Sequence, residues 1–315
     1  MTEGSRVFHI SNFHSMPDTT YYDLPLLKPP VWTWEVPLYF FIGGAAGAAS
    51  VLGFAAQMTG GDERLIRDAR WIAAAGVNLS TPLLISDLGR PERFLNMLRV
   101  FKPQSPMSVG AWTVAVFGGA ATATALLDLA QRRGLRVKVL GNAAATVAAG
   151  SGLVMATYTG VLLAATTVPV WKEHVHMLPV HFGASALGSA VSLLELRGHR
   201  DPALNALGLG AAIFETATGA AIEGRTDPQS EPLRHGPTGR LTFLGGVLSG
   251  PLPLALRLLR KRRAAAVSTL VGSLITRFAW VAAGKASARD PELALRDERH
   301  DAVADGSGAR HPVGE

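Results

Sequence analysis

Cysteine is absent from the 315-residue chain. Its absence excludes thiolate-held iron–sulfur clusters, thiolate zinc and covalently attached c-type haem from the chain itself. Charge is also scarce. Asp, Glu, Lys and Arg make up 17% of the residues, against about 25% in a soluble globular protein. The hydrophobic share, 48%, is ordinary, but it is gathered into long uncharged runs with the charges confined between them. A bilayer protein places its charges in loops in this way, whereas a soluble one spreads them along helix faces. No basic stripe is interleaved with aromatics, so nucleic acid is not an expected partner. The formal net charge of +6 suits loops facing anionic lipid headgroups. Arg6, His9, His14, Asp18, Asp23 and Lys28 surround no apolar stretch; no signal peptide is expected, and insertion should begin at the first span. A b-type haem held in a helical bundle needs axial histidines inside spans. His174, His176 and His181 fall at or near a loop and the others in loops or tails, so no haem is expected.

A helix needs roughly 20 apolar residues to cross the hydrocarbon core. Runs at 36–61, 71–86, 103–127, 139–171, 175–194, 203–222, 241–256 and 264–284 give eight candidate spans of an all-α membrane protein. The sixth is interrupted by Glu215, the eighth by Arg277, and the seventh is short and ends in proline. Small-residue ridges, Gly43-x-x-x-Gly47 and Ser185-x-x-x-Ser189, suit close helix packing in lipid. A faint echo between spans one and five hints at a duplicated four-helix unit. The expected division is an extramembrane segment over 1–33, a transmembrane domain over 34–284 and a tail over 285–315. That tail is too polar to fold alone. The densest basic clusters, at 131–138 and 257–263, fall on one side. That side is taken as cytoplasmic, which places both termini outside.

Charges within spans are costly and are functional candidates by default. Glu215 and Arg277 suit a proton relay or, equally, a buried pair that fixes helix register. Glu223, eight residues after Glu215, falls on the same helix face. Asp87, Arg90 and Arg93 lie in a compact turn whose Gly89 and Pro91 stop the preceding helix. Tyr158, inside span four, needs a hydrogen-bond partner, either a ligand carbonyl or a neighbouring backbone carbonyl. Trp32, Trp34, Tyr39 and Trp171 gather at span ends, where aromatics anchor the interface.

Several segments carry a family resemblance. They are Trp-Glu-Val-Pro-Leu-Tyr-Phe-Phe-Ile-Gly-Gly from Trp34 and Asp-Leu-Gly-Arg-Pro-Glu-Arg-Phe from Asp87. Ser-Pro-Met-Ser-Val-Gly-Ala-Trp from Ser105, Tyr-Thr-Gly-Val-Leu-Leu from Tyr158 and Arg-Phe-Ala-Trp-Val-Ala-Ala-Gly-Lys from Arg277 complete the set. In these segments the chain resembles the NrfD family, which includes the membrane subunit of polysulfide reductase. The resemblance implies eight helices in two four-helix bundles, no haem, and an exchangeable menaquinone or ubiquinone near the outer surface of the plasma membrane. It implies partners as well: a ferredoxin-like iron–sulfur subunit and a molybdopterin or other catalytic subunit. Tyr158 takes the place of the family's span-four tyrosine at the quinone, and Tyr39 stands where a relative carries histidine. Tyrosine does not titrate near neutral pH, so Glu35 or Asp87 is expected to handle the proton, with Trp34 beside them. Arg90, Arg93 and Trp171 are expected to dock the partner. Glu215, Glu223 and Arg277 are expected on a proton path. A secondary transporter and a passive anchor for redox subunits are the competing readings.

Overall fold

A computed structural model describes residues 27–224 and 227–290; most of the expected N-terminal segment and the tail from 291 lie outside these residues. Eight long helices organise the chain: α1 (Glu35–Met58), α2 (Glu63–Ser86), α3 (Pro106–Arg132), α4 (Lys138–Ala164), α5 (Met177–Leu196), α6 (Pro202–Glu223), α7 and α8 (Arg262–Arg289). Helix α7 is broken at Gly250 into Gly236–Ser249 and Pro251–Leu258. Among the described residues there is no strand. Six of these helices are long and apolar enough to cross a membrane, or seven if α2 and its sharply bent continuation, Pro91–Met97, form one span. Helix α6 has the length, 22 residues; Asn205, Glu215 and its threonines reduce its apolarity. The protein is thus an all-helical, multi-pass membrane protein, and eight spans are consistent with these lengths.

Local chemistry sets the helix starts. Asp62 accepts from the backbone N–H of Arg64 at 3.1 Å to open α2, and Asp201 accepts from that of Ala203 at 2.7 Å to open α6. Ser105 and Pro106 open α3; a serine cap followed by proline at the first helical position suits a helix N-terminus. The last helix runs past its expected end at 284. Ser287 and Ala288 are buried, and the Lys285 ammonium donates to the Trp32 carbonyl, so 285–289 belong to the bundle rather than to the tail.

Helix α1 packs on α2 and α4, and α3 closes a four-helix ring. Helix α5 packs on α6 and α8, and α7 closes a second ring in the same order. The rings meet where α1 and α4 lie against α5 and where α1 lies against α8. Both small-residue ridges are contacts of this kind. A methyl on Gly47 would sit 2.4 Å from the Gly152 carbonyl of α4, and the Ser185 hydroxyl donates to that of Ser273 in α8 at 2.9 Å. Lipid tails are as apolar as the side chains facing them, so close backbone approach and interhelical hydrogen bonds hold the helices together.

Candidate functional site

Helix directions divide the buried polar groups between two ends. At the end holding the 131–138 and 257–263 clusters, they are closely paired. Arg257 donates to both Glu195 oxygens at 2.8 Å, and both side chains are buried. Gly208 makes room for that pair: a methyl there would lie 2.3 Å from the guanidinium carbon. Asp68 accepts from His199 at 2.9 Å and from Arg197 at 3.3 and 3.4 Å. Arg70 joins Gln57 to Asp128.

The other end holds two cavities, one in each ring. The first, of about 90 Å³, lies between the start of α1, the turn after α2, the start of α3 and the end of α4. It brings Tyr39, Asp87 and Tyr158 to one wall, with Trp32, Met97 and Met107 among its apolar sides. Residues of the segments that begin at Asp87 and Ser105 hold this region in shape. Gly89 turns the chain at φ +65°, a conformation that costs glycine nothing. The Ser108 hydroxyl holds the loop by donating to the Val100 carbonyl at 3.3 Å and accepting from the Lys102 N–H at 3.0 Å. Gly110 admits the Tyr158 ring, since a methyl there would stand 2.4 Å from its hydroxyl.

The two tyrosines differ in what they can give. Tyr158 is buried and its hydroxyl donates to the Pro106 carbonyl, the backbone partner that a buried phenol requires. Tyr39, also buried, has only the Met155 sulfur at 4.0 Å, a weak acceptor. Its O–H is the donor left for a ligand carbonyl. Thr33 ties the two acids together: its N–H and hydroxyl reach Asp87 at 3.1 and 2.9 Å, and the hydroxyl also contacts Glu35. One hydroxyl has one hydrogen to give. It therefore serves one of the two carboxylates at a time.

Four expected residues fall elsewhere. Trp34 is 59% exposed and does not line the cavity, whereas Trp32 does; Glu35 does not line it either and reaches it only through Thr33 and Asp87. Trp171, expected at a docking surface, is fully buried, stacked on Trp32 at 5.4 Å with its indole N–H donating to the Trp280 carbonyl at 2.9 Å. A side chain so enclosed forms an inner wall and cannot meet a partner. His181, expected at or near a loop, is the fifth residue of α5 and is buried. Arg90 and Arg93 are exposed on the turn after α2.

His181 belongs to the second cavity, of about 240 Å³, which it lines with Glu215, Glu223, Thr276 and Trp280. Glu215 and Glu223 do share a face, the first buried and the second exposed. Arg277 turns away from a direct pair with Glu215. It donates to the Phe182 carbonyl at 2.9 Å and stacks on the Phe182 ring at 3.7 Å. Glu215 instead accepts from Ser249 at 3.0 Å through one oxygen. Its other oxygen stands 3.5 Å from His181 Nδ1, and no hydrogen bond reaches that oxygen, either His181 nitrogen, or the Arg277 Nε and Nη1. Sequence reasoning missed His181 because a histidine five residues into a helix, after a run of loop histidines, carries no periodic signal of its own.

Between the cavities stands a wall of rings: Tyr39, Phe40, Phe182 and His181 follow one another at 5.6, 6.3 and 5.9 Å. The sequence matches the polysulfide reductase family, of the NrfD type, over residues 18–289. The chain belongs to that family. No curated protein matches it. Membership makes this polysulfide reductase-family chain a membrane subunit of a redox complex, and the loop and glycine positions described above lie within the matched region.

Proposed function

We propose that the chain is the quinone-reactive subunit of a respiratory oxidoreductase in the plasma membrane, exchanging electrons between menaquinone or ubiquinone and an iron–sulfur partner. The observation that carries this reading is the convergence of Tyr39, Tyr158 and Asp87 on one apolar-sided cavity, with Thr33 linking Asp87 to Glu35. The family is one of quinone-interacting membrane subunits, and the residues suit such a ligand. Trp32, Met97 and Met107 offer apolar faces to a ring, and the Tyr39 hydroxyl offers a donor to its carbonyl.

Oxidation of a quinol releases two electrons and two protons; the electrons leave to the iron–sulfur partner, and reduction runs the same steps backwards. Tyr39 holds the ligand oxygen, Tyr158 shapes the wall, and the Glu35–Asp87 pair takes or gives the protons one at a time. A positioned carboxylate near the reacting oxygen is what such proton transfer needs. The cavity lies at the end that carries the N-terminus, the outer side if the basic clusters are cytoplasmic. Arg90 and Arg93, exposed on the adjoining turn, present positive charge to the partner, and a catalytic subunit such as a molybdopterin protein completes the complex. Glu215 and Glu223, buried and exposed on one helix face, with Arg277 nearby, form a proton path in the second ring.

The test is quinol-linked turnover of the purified complex. Tyr39→Phe should abolish most of it while the complex still assembles, and Tyr158→Phe should reduce it. Full turnover in the double variant would leave the chain as a passive anchor. Substrate uptake by the isolated chain would favour a transporter.

A further inference from the structure

The two rings repeat one another more closely than the packing alone requires. Tyr39 is the fifth residue of α1, and His181 is the fifth residue of α5. Asp87 follows the last residue of α2, and Glu223 is the last residue of α6. Tyr158 in the last third of α4 lines the first cavity, and Trp280 in the last third of α8 lines the second. Each cavity is lined by all four helices of its ring. The second is the larger, and it reaches deeper, to Glu215 and to Pro251 at the break in α7.

We propose that this second cavity binds a second quinone-class molecule, its ring oxygen held between His181 and Glu215. The class of ligand rests on the quinone-reactive reading of the first ring; the existence of a ligand site does not. His181 and Glu215 are 3% and 4% exposed and both line the cavity. Glu215 Oε1 and His181 Nδ1 stand 3.5 Å apart, and neither makes a hydrogen bond; the carboxylate oxygen is an acceptor, and a neutral imidazole has one donor and one acceptor. A buried polar atom left without a hydrogen bond bears its full desolvation cost, so something should complete this set. A quinol hydroxyl gives one hydrogen and accepts another, which fits the pair.

Water offers the same hydrogen bonds but does not fit the rest of the cavity. Each buried water needs about 2–4 polar partners. Away from His181 and Glu215, the walls are Ile222, Phe243, Val247, Pro251 and Trp280 together with threonines, of which Thr216, Thr242 and Thr276 spend their hydroxyl hydrogens on their own helices; Glu223 stands at the exposed end. A space with a polar floor and apolar walls suits a ring with oxygens at one end. It is also open: a methyl on Gly219 or Gly246, both lining residues, would meet nothing within 4 Å. A ligand there would lie between Glu215 and the exposed Glu223, along the proton path proposed above.

Those two glycines supply the test, because a side chain added at either begins in open space beside the cavity. The full chain in lipid nanodiscs, stripped of endogenous quinone, is titrated with a short-tailed ubiquinone and, separately, a short-tailed menaquinone. Bound quinone is counted per folded chain, with helix content and melting temperature recorded. We expect two molecules per wild-type chain for at least one of the probes. One should remain in Gly246→Leu and in Gly219→Leu, and one in Leu162→Trp, which fills the first cavity. One molecule in the wild type, lost in Leu162→Trp and kept in Gly246→Leu, would overturn the proposal and leave the first site standing. One molecule lost only in the glycine variants would support the second site and refute the first. No binding of either probe would overturn both.

Discussion

Two buried glutamates, each associated with an arginine, stand in contrasting states. Glu195 and Arg257 meet through two bonds of 2.8 Å, with Gly208 leaving space for the guanidinium. Glu215 and Arg277 are equally buried, yet they do not pair with each other: Glu215 Oε1 has only His181 Nδ1 at 3.5 Å, and Arg277 Nε and Nη1 make no hydrogen bond. Charges removed from water are tolerated when geometry compensates them and costly when it does not. The first constellation is therefore a structural clasp. The second is retained at a cost to stability, beside a cavity, and that is where function should be sought. The largest expected effect follows from this difference. Glu195→Gln leaves Arg257 uncompensated and should destabilise the protein by about 3–5 kcal/mol, read as a fall in melting temperature and in yield of folded chain. Glu215→Gln removes a charge that has little pairing to lose. It should hold the melting temperature near wild type while slowing proton-coupled turnover. Equal destabilisation by the two variants would erase the distinction.

The first cavity offers an internal comparison of its own, between two glycines of α3. A methyl on Gly110 would collide with Tyr158, whereas one on Gly119 would meet nothing within 4 Å. Gly110→Ala should cost about 1–3 kcal/mol, as overpacking does, and should lower quinol turnover by displacing the ring. Gly119→Ala should stabilise slightly, by up to about 1 kcal/mol, since alanine is the better helix former. Parallel melting curves and turnover assays check both. A Gly110→Ala variant with normal turnover would show that the position of Tyr158 is immaterial to the ligand.

A smaller effect is expected where the acids meet. Thr33→Val keeps the side-chain volume and the backbone N–H bond to Asp87 but removes the hydroxyl that also touches Glu35. Stability should change by about 1 kcal/mol or less. If the pair passes protons, turnover should fall, by less than the roughly 100-fold or more that loss of a general acid–base group itself costs, with the partner subunit still bound. Stopped-flow measurement of proton release against electron transfer would separate this from a general loss of activity.

Much of this was legible in the sequence because the bilayer imposes simple rules. Long uncharged runs gave the helices, and Glu215 and Arg277 stood out as charges inside them. The turn at Asp87 was marked by Gly89 and Pro91. What could not be read was contact between distant segments. Thr33 drew no notice because nothing local shows that it reaches Asp87, and Trp171 looked like an interfacial anchor because burial by α8 is a tertiary fact. Glu195 and Arg257 each lie near a helix end, where charge is ordinary; only the fold reveals that they are buried together. The expected Glu–Arg register pair thus exists, but it is Glu195–Arg257 rather than Glu215–Arg277.

The smallest effect concerns the outer turn, where charge is exposed rather than buried. Arg90 and Arg93 flank Pro91 on a surface beside the first cavity, and no ion pair involving either is found among the described residues. Exposed charges contribute only about 0.2–1 kcal/mol per pair, so neither residue should matter to folding. At a docking surface they would act together on an oppositely charged partner and lose strength as salt rises, since the screening length falls to about 8 Å at physiological ionic strength. Reversing both, Arg90→Glu with Arg93→Glu, should leave the melting temperature unchanged and weaken retention of the iron–sulfur subunit, most visibly in low salt. The comparison with Trp171 sharpens the test. Trp171→Ala should lower the melting temperature through lost packing, with no salt-dependent effect on the partner. If charge reversal left subunit retention unchanged at every salt concentration, the partner would have to meet another part of the outer face.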